Sequence, residues 1–154
     1  GQHLAARLGA QYLPSSFESP KFGRQLDVTK LDAYTGKCGA FIASHILEHV
    51  AEDQLAISNL FSSLAPGGFG IVLVPIMTGL EQTWEAAGPL SDQERLNFYG
   101  QIDHVRLYSK SGFRNLLLSP GFRLREMGRD DFGHAFFERS GISASSVLYI
   151  VEKE

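Results

Sequence analysis

Cysteine is almost absent. Cys38 stands alone in 154 residues, so no internal disulfide can close and no thiolate zinc site can assemble, as suits a reducing compartment. A nucleophilic role for Cys38 is not expected. No apolar run approaches the ~20 residues a spanning helix needs, which excludes a membrane span from the expectation. Gly1-Gln2-His3-Leu4 lacks the basic head, apolar middle and small-residue cleavage site of a secretory signal. The expected location is cytoplasmic. Charge of one sign is also scarce: the net value is −3, giving no general attraction for phosphate backbones, so nucleic acid is not expected as a partner. Internal repeats, low-complexity tracts and linkers are missing too. What remains, 44% hydrophobic and 20% charged residues, is ordinary globular composition. The length suits one domain over residues 1–154 with a single core.

Periodicity and turn residues divide the chain. Leu4 to Leu8 read as the end of a helix closing at Gly9, and Ala10 to Leu13 as a very short strand stopped by Pro14. After the turn-rich SSFESPKFG stretch, Gln25 to Val28 give a second short strand. Ala40 to Ser44 read as a buried strand. From Asp53 to Leu64, Ile57, Leu60, Phe61 and Leu64 follow the i, i+3, i+4, i+7 pattern of a half-buried helix, and Pro66-Gly67-Gly68 ends it. Phe69 to Pro75, rich in branched residues, has the character of an interior parallel strand. Ser91 and Glu94 form a capping box for a short helix. Lys110 to Leu118 make another, with Phe113, Leu116 and Leu117 on one face. Phe122 to Met127 and Val147 to Val151 are the final strands, and Gly128 to Ser146 a loop. Helix followed by buried strand is the α/β signature.

Three segments in order carry a resemblance: Ala43-Ser44-His45-Ile46-Leu47-Glu48-His49-Val50, then Leu64-Ala65-Pro66-Gly67-Gly68 with its strand, then Asp103-His104-Val105-Arg106-Leu107-Tyr108-Ser109 before a helix ending in Gly121-Phe122. This ordered set, from about Ala10 to Glu152, resembles the type-11-like class I S-adenosylmethionine-dependent methyltransferases. The resemblance implies an α/β, doubly wound, mostly parallel Rossmann-like sheet with an antiparallel last strand. It also implies S-adenosylmethionine as cofactor, methyl transfer to a small-molecule acceptor, and a ligand crevice at the carboxyl ends of the strands.

By the family's pattern, Asp27 faces the adenine amino group with Val28 beside the ring, and Ser44 and His45 line the cofactor pocket near the sulfonium. The acidic residue that binds the ribose hydroxyls aligns with Ser16, leaving Glu18 as a stand-in. Gln101, Asp103, His104 and Arg106 crowd six positions ahead of a helix, a cluster able to orient an acceptor. His104 is its candidate general base, because imidazole alone has an unperturbed pKa near neutrality. His45 is the second catalytic candidate. Trp84, with Phe98 and Tyr99, is a candidate cover for the acceptor.

Two other readings compete. His45, Glu48 and His49 spell H-x-x-E-H, the zinc pattern of inverted metalloproteases, in which two histidines share one face of a long helix. The methyltransferase order explains the same residues without an ion, so no metal ligands are expected. The other is a non-catalytic remnant that keeps the fold without the cofactor. The family begins with a strand and a G-x-G-x-G turn, and neither precedes Leu4 in this sequence, so the domain reads as truncated at the N-terminus and weak cofactor binding is expected. That strand belongs between the equivalents of Ala10–Leu13 and Ala40–Ser44. The expectation is that these two close up and pair directly, with a homodimer through the open edge as the alternative.

Overall fold

A computed structural model describes residues 4, 6–7, 11–17 and 23–154. Leu4, Ala6 and Arg7 have helical backbone, as expected. Gln11 lies in a 3-10 turn and Tyr12 and Leu13 carry no strand, so pairing begins after Pro14 instead of before it. The reason is local: the Pro14 carbonyl accepts from Arg24 N–H at 2.8 Å, which launches a small parallel pair of β1 (Ser15–Ser16) and β2 (Arg24–Gln25). The second strand is therefore shorter and earlier than Gln25 to Val28, because Asp27 begins a turn.

The main sheet has the order β3-β4-β8-β7. Strand β3 (Cys38–Ser44) runs parallel to β4 (Leu64–Leu73), with Ala40 opposite Phe69 and Ser44 opposite Leu73. Between them lies helix α1 (Asp53–Ser63), which buries Ala56, Ile57 and Leu60. Helix α1 ends at Ser63 and β4 begins at Leu64, so the Pro66-Gly67-Gly68 segment expected to end the helix lies inside the strand instead. Gly67 has φ 76°, and the ladder slips here: the step from Cys38 to Ala40 faces the step from Leu64 to Phe69. Only glycine adopts that left-handed backbone routinely, so the bulge is written into the sequence.

Strand β8 (Leu148–Glu152) enters between β4 and β7 (Arg123–Met127), antiparallel to both. The antiparallel last strand agrees with expectation. The sheet as a whole is mixed where a mostly parallel one was expected, because this insertion turns two of its three pairings antiparallel. A third small pair joins β5 (Trp84–Glu85) to β6 (Arg106–Leu107). Helix α2 (Asp92–Tyr99) starts on the expected capping box of Ser91 and Glu94, and α3 (Lys110–Leu118) on the Ser109 hydroxyl. The expected loop over Gly128 to Ser146 instead holds two short helices, α4 (Arg129–Phe132) and α5 (His134–Ser140), separated by Gly133.

Among the described residues, β3 pairs with β4 alone, and β1–β2 forms a sheet of its own. The expected direct pairing of Ala10–Leu13 with Ala40–Ser44 is not formed among the described residues, Ala10 itself lying outside them. Helices α1 and α3 touch each other, and α1 meets β4 while α3 meets β7. The core between them and the sheet contains Ala43, Leu60, Val72, Phe113, Leu117 and Val151. On the opposite side of β3 and β4, Ile42 is 54% and Phe69 46% exposed. Among the described residues, no helix is long and apolar enough to cross a membrane.

Candidate functional site

Strand β3 ends abruptly. His45 has φ 55°, the one non-glycine residue with positive φ among those described, and its N–H donates to Leu73 O at 2.8 Å as the last rung of the ladder. This left-handed backbone is uncommon outside glycine, although histidine tolerates it better than most residues. The turn aims His45 Nδ1 at Glu48 Oε1, 3.1 Å away. A single 3-10 turn, Leu47–His49, follows. The long helix that the zinc-protease pattern requires is therefore not formed, and His45 and His49 do not share a helix face.

Asp103 to Tyr108 packs onto this turn. Val105 N–H donates to Glu48 O at 2.9 Å, and His49 Nδ1 lies 3.2 Å from Asp103 Oδ2. The His49 and His104 rings meet nearly at right angles with centroids 4.6 Å apart. His104 is buried, and its carbonyl accepts from Arg95 Nη1 at 2.9 Å. Burial first, then the charge of His49, holds the His104 imidazole below its ordinary pKa, so its neutral form is favoured.

Arg106 is 2% exposed. Its guanidinium donates to the carbonyls of Leu47 (2.9 Å), Val50 and Ala51 (2.8 Å), and it pairs with Glu85 and with Asp53 at 3.4 Å. Burial alone would weaken this cation, yet the bond to Glu85 and the nearby Tyr108 and Asp53 outweigh it and raise its pKa. One side chain thus fixes the loop leaving β3. Tyr108 assists, its hydroxyl donating to Asp53 Oδ2 at 2.7 Å, and burial pushes its own pKa upward. A cavity of about 150 Å³ lies alongside, lined in part by Glu85, Arg95, Tyr99 and Arg106.

Solved structures share this arrangement of strands and helices. An S-adenosylmethionine dependent methyltransferase from Mesorhizobium loti matches with a TM-score of 0.62 at 16% identity, over 99% of this chain and 85% of that one. A SAM dependent methyltransferase from Archaeoglobus fulgidus matches at 0.52 and 14% identity, over 89% and 70%. The chain has the class I methyltransferase-like fold. The Burkholderia thailandensis 1,6-didemethyltoxoflavin-N1-methyltransferase, solved with 1,6-didemethyltoxoflavin and S-adenosylhomocysteine, matches at 0.53 and 14% identity. There the match covers 99% of this chain and 55% of the other, so this chain spans about half that protein's length. No family model matches the chain, and no curated protein matches it in sequence.

In open α/β sheets ligands bind beyond the carboxyl ends of the strands, and β3 has its carboxyl end at Ser44. The sequence candidates that the structure brings together there are His45, Asp103, His104 and Arg106, with Ser44 exposed at the strand end. Gln101 is exposed two residues before Asp103. Trp84 stands on β5, where it packs against Phe98 and Tyr99 at 5.3 Å each. Ser16, Asp27 and Val28 lie on β1 and after β2, and among the described residues they share no hydrogen bond or ion pair with the histidine cluster. Glu18 lies outside the described residues. Glu85 and Asp53 were missed as partners of Arg106, since nothing local in sequence ties them to it. Tyr108 was within view, two positions after Arg106 in the same motif.

Asp27 has local work of its own. Its Oδ1 accepts from Thr29 N at 2.9 Å and Thr29 Oγ1 at 2.6 Å, while Oδ2 lies 3.2 Å from Lys30 Nζ. The Thr29 hydroxyl bond, then the Thr29 N–H bond, hold its pKa below the ordinary 3.8. The stabilisation is therefore present above that value and lost as pH falls through the lower folded pKa. Wild type is expected to melt above Asp27→Asn at pH 7, with the gap closing in the acid range beneath pH 3.8. A gap that is constant with pH, measured by thermal scans across the range, would count against this assignment.

Proposed function

We propose that this chain serves S-adenosylmethionine-dependent methyl transfer to a small-molecule acceptor. The observation that carries the reading is a methyltransferase-like sheet whose β3 carboxyl end presents a strained histidine beside a dense polar cluster. The residues fit the cofactor's chemistry: Asp27 keeps lone-pair capacity beyond its local bonds, and Ser44 and His45 are exposed. Bound there, S-adenosylmethionine would supply an electrophilic methyl group.

In this reading Ser16, Glu18, Asp27, Val28, Ser44 and His45 face the cofactor, and Gln101, Asp103 and Trp84 face the acceptor. Transfer from a sulfonium is an in-line displacement that depends mainly on alignment. Arg106 contributes as a positioning residue by fixing the turn that carries Glu48 and His49. Neutral His104 has a ring nitrogen able to take the acceptor's proton as the new bond to carbon forms.

Calorimetric titration with S-adenosylhomocysteine tests the proposal, the expected result being saturable one-to-one binding that weakens on Asp27→Ala. No binding at millimolar ligand would overturn it. That outcome would select the non-catalytic alternative, which is favoured by the commitment of Asp27 to Thr29 and Lys30.

A further inference from the structure

Glu48 is a buried carboxylate with half of its bonding unexplained. It is 1% exposed, and Oε1 receives His45 Nδ1, but Oε2 has no hydrogen-bond partner among the described residues. Buried polar atoms are nearly always paired, and an orphan calls for a reason such as an ion. Two imidazoles stand beside it. Glu48, His49 and His104 each offer a ligand atom, and all three atoms lie within 4.8 Å of one another. Ligands of one zinc ion, each at ~2.0–2.2 Å, stand roughly 3.3 Å apart, so side-chain shifts of the order of 1 Å would close the set.

We infer that Glu48, His49 and His104 form a binding site for a divalent transition-metal ion of the zinc and cobalt class. Two further observations support it. His49 Nδ1 hydrogen-bonds the Asp103 backbone carbonyl at 3.3 Å and lies 3.2 Å from its carboxylate, which leaves Nε2 as the free lone pair. Metal-bound histidines are commonly oriented in this way, by a backbone carbonyl or carboxylate on the nitrogen away from the ion. His45 likewise holds the opposite carboxylate oxygen of Glu48 in place. Two imidazole nitrogens and one carboxylate oxygen are a donor set suited to zinc and its neighbours, and three protein ligands leave a fourth position open. The site differs from the zinc-protease pattern because the third ligand is His104, 55 residues after His49 by subtraction of their numbers, and no helix pairs the histidines.

Occupancy would change what His104 does. Its lone pair would be committed to the ion, and an acceptor hydroxyl in the open position would be acidified by the metal and would release its proton to water. This use rests on the methyl-transfer reading, but binding of the ion does not.

The test uses the whole chain with Co²⁺ alone, then Zn²⁺ as competitor, with no S-adenosyl ligand. One Co²⁺ per chain is expected, giving visible d–d absorption that Zn²⁺ abolishes and a higher melting temperature. Glu48→Gln and His104→Ala should each weaken binding at least tenfold, while His134→Ala leaves it unchanged. If a variant fails to fold, imidazole ¹⁵N shifts of the wild-type protein decide instead, since Zn²⁺ should move His49 and His104 but not His134. Absent Co²⁺ binding at millimolar metal, binding undiminished in the folded variants, or shifts confined to other histidines would each overturn the site. Because S-adenosylhomocysteine is titrated without metal, failure of either proposal is visible independently of the other.

Discussion

Replacing Arg106 with alanine is expected to lower the unfolding free energy by about 3–5 kcal/mol, the usual cost of removing one partner from a buried ionic arrangement. The substitution would leave the carbonyls of Leu47, Val50 and Ala51 without a shared donor, and Asp53 without its cation. Such a loss is a large part of the ~5–15 kcal/mol that keeps a domain folded. Lysine is not expected to rescue it, because a single ammonium cannot reproduce the planar fork that reaches carbonyls and carboxylates at once. Urea denaturation of Arg106→Ala and Arg106→Lys checks both points. A loss below about 1 kcal/mol in the alanine variant would show that the clamp is dispensable.

Phe113→Ala should cost a similar ~3–5 kcal/mol, as is typical of deleting a buried aromatic ring. Phe113 is fully buried on α3, with the Tyr108 ring at 5.2 Å and the Tyr149 ring edge-on at 5.0 Å. It therefore joins the helix to β8 and to the segment that carries His104 and Arg106. The two variants share Tyr108, whose ring also lies 5.7 Å from the Arg106 guanidinium carbon. Their effects are expected to be non-additive in the double mutant, since neighbours with a common partner couple. Strict additivity in chemical denaturation would mean that Tyr108 does not transmit strain between them.

Elements that announce themselves locally were legible in the sequence. The period of α1, the Ser91–Glu94 capping box and the branched run in β4 each state their structure within a dozen residues, and each is found. The resemblance also placed the end of a strand at Ser44, and β3 ends there. What escaped depended on contacts between distant positions. Glu85 meets Arg106 only because β5 and β6 pair, and no short pattern encodes that meeting. Helices α4 and α5 escaped for another reason: Gly133 and Gly141 divide the segment, and Phe132, Phe136 and Phe137 pack on one another instead of tracing a regular stripe. The Glu48, His49 and His104 grouping combines both difficulties. Its H-x-x-E-H portion was visible, but pointed to a helix, whereas the third member arrives from another part of the chain.

The place of β8 in the sheet also fixes an order of assembly. Strands β3 and β4 are joined by one helix and can associate as soon as α1 forms, whereas β7, though earlier in the chain than β8, touches the sheet only through it. Until Leu148–Glu152 arrives, β4 and β7 each present an unsatisfied side, and Phe113 of α3 lacks the Tyr149 ring. The contacts that finish the core thus join the latest strand to one some 80 residues upstream, between Ile71 and Ile150, the kind of distant closure that slows folding. During synthesis, the interval between making β4 and releasing β8 is when this chain would most need a chaperone.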